Sequence, residues 1–251
     1  MNNLNRHTTY QRQDHVGIFT ITNPPQNYLT DPEFIHPDFL LEVASDSSIK
    51  ALIIKGAGRH FSAGADRNLL FSMSSSNCLE DQIERGKILL SHIEMLDIPV
   101  IAMIRGACFG GGLEIALACH IRICSENSMF AFPETGLGLI PGLGGTQRLS
   151  RLISKAGAIE MILGAGLIDA EKARQLRLVD HMVSAKDIES FTFDLIRQMT
   201  ENRTAHVVRY AMRAINNSCC LNVDTAMKEE TKLFCMLAKE EAKRQQLEGK
   251  Q

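Results

Sequence analysis

Residues 109–147 place the tightest limits on how this chain can fold, because they combine glycine clusters with two acidic residues in apolar surroundings. Three consecutive glycines end at Gly112, and an apolar run of helix-forming residues follows over residues 113–119. Glycine lets the backbone turn sharply before a helix, and the first amide groups of a helix have no partner within it. Because those amides lie at the positive end of the helix dipole, they can stabilise a negative oxygen. The pattern therefore predicts a turn and helix that can hold a developing anion.

Two glutamates in this segment are candidates for proton transfer. Glu114 follows Gly111 by three residues, which places its carboxylate on the same helix face as the Gly111 amide. Glu134 directly follows Pro133 after a short apolar stretch, so we expect it in a loop. A carboxylate among apolar residues has a raised pKa and can exchange a proton near neutral pH. Each glutamate taken alone is more often a structural or surface residue, so the hypothesis requires both to reach one cleft.

Composition excludes several classes of protein. The chain has 251 residues with 45% hydrophobic and 22% charged residues and a formal net charge of −2, which is typical of a globular protein. It has no basic stripe for nucleic acid, no phosphate-loop or dinucleotide motif, and no zinc-type histidine pattern. We therefore expect no nucleic-acid partner and no metal site.

The cysteines and the apolar runs indicate the compartment. Seven cysteines without paired spacing are typical of reduced thiols, and no stretch approaches the ~20 apolar residues of a membrane span. The first fifteen residues are polar and lack the apolar core of a signal peptide. We expect a cytoplasmic protein without a membrane partner.

Alternating strands and helices favour a layered α/β fold with right-handed crossovers. The predicted strands cover residues 16–22, 51–55, 100–104, 121–124 and 129–132. The predicted helices of the first half cover residues 37–44 and 79–96 and the segment that carries Glu114, and residues 72–77 are expected to form a mobile surface loop. Beyond Gly145 the pattern is mainly helical, with helices over residues 148–156, 158–164, 170–176, 188–202, 204–216 and 222–246 and an extended break over residues 179–183.

Four stretches together resemble the crotonase superfamily, closest in motif to the enoyl-CoA hydratases. They are residues 58–66 (GRHFSAGAD), 99–123 (PVIAMIRGACFGGGLEIALACHIRI), 130–149 (FAFPETGLGLIPGLGGTQRL) and 158–178, which contain LGAGLIDAEKARQLRL. The resemblance implies a crotonase-like spiral of ββα turns over residues 1–200. It also implies a helical C-terminal region over residues 201–251 that covers the active site and mediates trimer contacts.

The resemblance also assigns the site residue by residue. The backbone amides of Ala65 and Gly111 would form the oxyanion hole that stabilises a thioester enolate. Glu114 would activate water, and Glu134 would exchange the proton at Cα. The other motif positions expected to contact substrate are Ala63, Gly64, Asp66, Gly110 and Gly142, the last of them near the catalytic water.

Some residues depart from the family pattern. His120 stands where relatives usually have Asp, and we interpret it as a structural replacement. Pro32 and Pro37 interrupt the helix that relatives form there, which predicts reshaped acyl and coenzyme A pockets. We expect residues 72–79 and the C-terminal helices to line the acyl pocket.

The resemblance implies a lyase of fatty acid metabolism that hydrates a 2-enoyl-CoA reversibly. Two alternatives use the same enolate chemistry: an enoyl-CoA isomerase, and a dehydratase of a biosynthetic pathway that acts on a CoA- or carrier-protein-linked thioester. A third is a non-catalytic binding protein, such as an RNA-associated one, against which the acidic balance and the two glutamates count. No metal or redox cofactor is implied, because coenzyme A is part of the substrate. A homotrimer or a dimer of trimers is the expected assembly.

Overall fold

The computed structural model describes residues 7–66, 71 and 78–248, and a six-stranded sheet organises these ranges. Its strands, in chain order, are β1 (Thr8–Gln13), β2 (Val16–Ile21), β3 (Ala51–Gly56), β4 (Val100–Ile104), β6 (Ile121–Ser125) and β9 (His181–Val183). They lie in the order β1-β2-β3-β4-β6-β9, with β1 antiparallel to β2 and all the other pairs parallel. A second sheet joins β5 (Ala107–Phe109), β7 (Met129–Ala131) and β8 (Ile168–Asp169).

Helices connect and cover the strands. In chain order they are α1 (Pro37–Ser45), α2 (Cys78–Glu94), α3 (Gly111–Ala118), α4 (Gly145–Leu152), α5 (Lys155–Gly164), α6 (Ala170–Gln175), α7 (Ile188–Thr200), α8 (Ala205–Cys220) and α9 (Val223–Glu248). A 3₁₀ turn spans Glu134–Leu137. Across the described ranges, no helix combines the length and apolar content that a membrane crossing requires. The predicted layered α/β arrangement is confirmed.

The central strands are buried on both faces, as their continuous apolar runs predict. Leu52 and Ile54 of β3 face one apolar layer, which also contains α2 and α3, whereas Ile53 faces the other layer. Helix α7 closes that second layer with Ile188 and Ile196. The sheet therefore holds α3, and with it Glu114, in the largest apolar core of the described chain.

Several local predictions were wrong or incomplete, and the short strands β5 and β8 were not predicted. Strand β1 was missed because Thr8 is its one buried residue, so the sequence lacks an apolar alternation there. The helix predicted over residues 148–156 is interrupted, since Ile153 is extended and the Ser154 hydroxyl accepts a hydrogen bond from the Gly157 amide to begin α5. Glu134 lies in a 3₁₀ turn rather than an irregular loop. The loop predicted at residues 72–77 lies outside the described residues.

The last two helices pack on each other and fasten to the core through α8. Arg213 pairs with Asp97, and the Asn216 side chain donates to the Leu96 carbonyl at 3.1 Å. Helix α9 exposes several large apolar residues, among them Met227 and Phe234. No described residue of α8 or α9 lines either cavity of the candidate site below.

Candidate active site

The Ala65 amide is presented by a short parallel bridge to the segment before α1. The Leu29 amide donates to the Gly64 carbonyl at 2.8 Å, and the Asp66 amide donates to the Leu29 carbonyl at 3.2 Å. In a parallel bridge the residue between two such bonds points its own amide the other way. No hydrogen bond in the described chain uses the Ala65 amide. It therefore remains available to a ligand.

Asn27 holds this segment in place, a role that sequence reasoning missed. It is fully buried at a φ of 53°, and its side-chain nitrogen donates to the carbonyls of Ala57 and His60 at 2.8 and 2.7 Å. The Ser62 hydroxyl donates to the Asn27 carbonyl at 2.7 Å. Asparagine tolerates a positive φ better than most residues. An asparagine in this loop was therefore the only sequence feature that could have indicated the structural role of Asn27.

The Gly111 amide lies next to the Ala65 amide. Gly111 begins α3, so its amide has no partner within the helix, and the described chain gives it none elsewhere. A Cβ built on Gly64 would lie 3.3 Å from the Gly111 nitrogen, and one built on Gly111 would lie 3.9 Å from the Ala65 nitrogen. Gly64 also has a φ of +88°, which favours glycine. Two unused backbone donors thus lie side by side, as an oxyanion hole requires.

Glu114 is buried and held by backbone. Glu114 is only 2% exposed, and its Oε1 accepts hydrogen bonds from the amides of Leu143 and Gly145, both at 2.7 Å. Burial raises its pKa to about 7, with the negative charge of Glu134 adding to the rise and the two amides opposing it. No hydrogen bond in the described chain involves Oε2. One carboxylate oxygen is held by two amides, and the other has no hydrogen-bond partner in the described chain.

Arg148 supports the loop that binds Glu114 and was not identified from the sequence. Its guanidinium donates to the Leu143 carbonyl at 2.8 Å and to Glu94 at 3.0 Å, and its side chain is largely buried. An arginine one turn into an amphipathic helix gave no distinguishing signal in the sequence.

Glu134 approaches from the opposite wall with fewer partners. Burial raises its pKa, and Oε2 is a buried oxygen without a hydrogen-bond partner in the described chain. A Cβ built on Gly110 would lie 2.5 Å from Glu134 Oε1, and Gly110 has a φ of +49°. Glycine is therefore required at position 110 for the Glu134 carboxylate to lie against the start of α3.

Two cavities meet at these groups. The larger has a volume of about 970 Å³, and the smaller about 280 Å³. Three residues line both: Ala65, Glu134 and Leu139. Of the predicted site residues, Ala63, Gly64 and Gly110 line the larger cavity, whereas Asp66, Gly111, Glu114 and Gly142 line the smaller one. The structure thus places every predicted site residue at one of two adjoining cavities.

His120 lies outside both cavities and has a structural role. Its Nδ1 accepts a hydrogen bond from the Val100 amide at 2.9 Å, so Nε2 carries the proton and donates to the Glu94 carbonyl at 3.1 Å. Burial lowers its pKa. These two backbone contacts support the interpretation of His120 as a structural residue.

Comparisons with known proteins show the class of protein to which this fold and this pair of cavities belong. The profile described as enoyl-CoA hydratase/isomerase matches residues 11–251. The chain belongs to the enoyl-CoA hydratase/isomerase family. The predicted superfamily and the predicted enzyme class, an enoyl-CoA hydratase-type lyase, are both confirmed.

Individual relatives span different shares of their own chains. The chain is 34% identical over 227 residues to a short-chain-enoyl-CoA hydratase of Clostridium acetobutylicum, which covers 89% of this chain and 86% of that one. It is 40% identical over 179 residues to the fatty acid oxidation complex subunit alpha of Shewanella frigidimarina, covering 69% of this chain but 25% of that protein.

A solved structure gives the same fold. It comes from Thermobifida fusca YX and is described as a candidate enoyl-CoA hydratase in complex with CoA. It is 26% identical, covers 94% of this chain and 95% of that one, and superposes with a TM-score of 0.81. The crotonase-like α/β fold with a helical C-terminal region is therefore confirmed.

Proposed function

We propose that this chain adds water reversibly to the double bond of a 2-enoyl-CoA thioester. The observation that carries the proposal is the junction of the two cavities, where two unused amides and two carboxylates with raised pKa values lie together. Relatives named as enoyl-CoA hydratases and a structural neighbour that binds CoA support it.

The chemistry begins at the thioester oxygen. Attack of water at Cβ places negative charge on that oxygen, and the amides of Ala65 and Gly111 would stabilise it as an enolate. Each such donor is worth roughly 10²–10³ in rate when it is fixed in place beforehand. The bridge to Leu29 and the start of α3 fix these two amides before substrate arrives.

The two carboxylates would divide the proton transfers. Glu114 Oε2 would accept a proton from the attacking water while Oε1 stays bound to the amides of Leu143 and Gly145. Glu134 would deliver a proton to Cα of the enolate and recover it in the reverse direction. A pKa near 7 lets Glu114 act as either base or acid at neutral pH, which suits a reversible reaction.

The larger cavity suits the carrier arm of the thioester, and the smaller one suits the acyl group. The larger cavity has Gln26, Arg59 and His60 on its walls, which can hydrogen-bond a polar, anionic arm. The smaller cavity is mostly lined by apolar residues and has a volume just under the ~300 Å³ at which drug-sized pockets begin. We therefore propose a short acyl chain carried by coenzyme A, in fatty acid breakdown.

A direct assay tests this function. With crotonyl-CoA, the ultraviolet absorbance of the conjugated thioester should decay as the double bond is hydrated, and 3-hydroxybutyryl-CoA should appear. Loss of absorbance with a carrier-protein thioester alone would favour the dehydratase alternative. A shift of the double bond without hydration would favour the isomerase. No reaction with any of these thioesters would overturn an enzymatic function of this class.

We also propose that the chain forms a homotrimer or a dimer of trimers through its C-terminal region. The exposed apolar side chains of α9, including Met227 and Phe234, support this assembly because such groups are usually covered. Light scattering should give three or six times the 27.9 kDa chain mass. A monomer at working concentration would contradict it.

A further inference from the structure

One face of α2 forms a wall of the smaller cavity. Leu79, Gln82 and Ile83 line that cavity, and Gly86 continues the same face at helical spacing. A Cβ built on Gly142 would lie 3.4 Å from Ile83 Cδ1. This face therefore packs against the loop that binds Glu114.

Closer contacts lie one turn further along α2. A Cβ built on Gly86 would lie 2.6 Å from Pro32 Cβ and 2.8 Å from Leu143 Cδ2. Because Leu143 also donates its amide to Glu114, the position of α2 is fixed relative to the catalytic carboxylate. The side chains on this face of α2 are therefore held in a fixed position relative to Glu114.

Gln82 is the polar exception on this face. Its Oε1 is buried and has no hydrogen-bond partner in the described chain. Most of the other side chains that line this cavity are apolar: Leu29, Pro32, Ala65, Leu79, Ile83, Leu139, Ile140 and Leu143. A buried amide oxygen without a donor is unfavourable, and native proteins rarely retain one unless a ligand or a water satisfies it.

A ligand is the better partner for this oxygen than a resident water. A buried water needs two to four polar partners, and the mostly apolar lining of this cavity supplies few. The atom that satisfies Oε1 must be a donor, because an amide oxygen can only accept. A hydroxyl on the acyl chain meets that requirement and leaves the rest of the chain against apolar wall.

We propose that Gln82 selects 2-enoyl thioesters whose short acyl chain carries a hydrogen-bond donor, such as a hydroxyl, beyond the reacting carbons. This proposal rests on the proposed hydratase function and names the substrate class of that same site. Gln82 acts on chain selection and takes no part in the proton transfers, which belong to the two glutamates.

The test compares two thioesters with equal numbers of chain atoms, 5-hydroxy-2-pentenoyl-CoA and 2-hexenoyl-CoA. The wild-type protein should have a kcat/KM at least about tenfold higher for the hydroxylated chain. Gln82→Met keeps the length of the side chain and removes the amide, so it should reverse the preference by about tenfold or more. Gln198→Met, at an exposed position of α7, is the matched control and should keep the wild-type ratio.

The outcomes separate this proposal from the function on which it rests. An equal kcat/KM for both chains in the wild type, or an equal loss for both chains in Gln82→Met, overturns the role of Gln82 and leaves the hydratase intact. If neither chain nor crotonyl-CoA is hydrated, the proposed function itself fails. Should Gln82→Met not fold, the wild-type ratio and Gln82→Leu still decide the question.

Discussion

The two walls of the candidate site carry the same type of side chain in contrasting settings. On one wall, Glu114 is almost fully buried in α3 and is held by two backbone amides. On the other, Glu134 begins a 3₁₀ turn, is partly exposed, and has a buried oxygen without a partner in the described chain. Both carboxyl groups have raised pKa values because of burial.

The difference indicates separate tasks. A carboxylate held at one oxygen keeps its second oxygen in a fixed direction, which suits a base that must align a water. Glu134 accepts no hydrogen bond from another described residue, and its own backbone amide alone opposes the rise of its pKa, which suits a group that delivers a proton to carbon and recovers it. The contrast supports the proposed division of labour between Glu114 and Glu134.

The largest expected effect is on turnover. Glu114→Gln and Glu134→Gln should each lower kcat for crotonyl-CoA hydration by about 10²–10⁴, because each removes one proton-transfer group. Steady-state kinetics would measure this, and Glu160→Gln at an exposed position of α5 should leave kcat unchanged. Wild-type turnover in either active-site variant would contradict the role given to it.

Isotope exchange sharpens the same contrast. Butyryl-CoA has no double bond to hydrate, so exchange of its Cα protons in heavy water needs an enolate and Glu134 but no attacking water. Exchange should be lost in Glu134→Gln and retained in Glu114→Gln. The opposite pattern would reverse the assignment of the two glutamates.

The second prediction concerns stability against pH. Burial raises the pKa of Glu114 from its ordinary value of 4.5 to about 7 in the folded chain, so the folded chain binds more protons than the unfolded chain between those values. The free energy of unfolding should therefore fall as pH rises from about 4.5 to 7, by up to about 3 kcal/mol from this group. Glu114→Gln removes this titrating group. In denaturant unfolding, the free energy of unfolding of the variant should therefore rise relative to that of the wild type between pH 5 and pH 8. Parallel pH profiles would contradict the raised pKa.

The third prediction concerns the contact between Gly110 and the carboxylate of Glu134. In Gly110→Ala the new methyl would meet Glu134 Oε1 and the backbone would be strained at its positive φ, so kcat should fall by about 10² and stability by about 1–3 kcal/mol. Gly58→Ala is the control, since Gly58 also has a positive φ but no atom within 4 Å of its Cβ position. Kinetics and thermal unfolding of both variants separate contact from strain. Equal losses of kcat would show that contact with Glu134 is unimportant.

The smallest effect on kcat is expected from removing Arg148, which supports the loop that binds Glu114. Arg148→Met removes the hydrogen bond to the Leu143 carbonyl, so the loop that orients Glu114 should loosen and kcat should fall by about tenfold with little change in KM. Arg151→Met, exposed on the same helix, should behave as wild type. A change in KM with an unchanged kcat would place Arg148 in substrate binding instead.

The sequence predicted the central sheet well because its strands have strong local signals. The continuous apolar runs in β3 and β4 mark strands buried on both faces, and the structure places them in the middle of the sheet. Strand β1 escaped because an edge strand with a single buried residue, Thr8, has no periodic pattern to detect. Local patterning therefore predicts buried elements better than edge elements.

The site was predictable only in part, for a physical reason. The glycine cluster before Glu114 indicated the start of α3, because a turn is determined by residues that are consecutive in the sequence. The bonds from Leu143 and Gly145 to Glu114 join residues 29 and 31 positions apart, and such contacts depend on how the loop folds back. Arg148 reaches Glu94 across 54 positions, and such a contact also leaves no local signal in the sequence.

The meeting of the two cavities at Ala65, Glu134 and Leu139 has an evolutionary consequence. In the proposed function, the coenzyme A arm and the acyl group of the thioester would be bound by different stretches of chain, and the reaction would occur where the two cavities join. Substitutions on the face of α2 that lines the smaller cavity could then change which acyl groups are accepted. Binding of coenzyme A and the reaction itself would be retained. A chain built this way can acquire new substrates by single substitutions without rebuilding its catalyst.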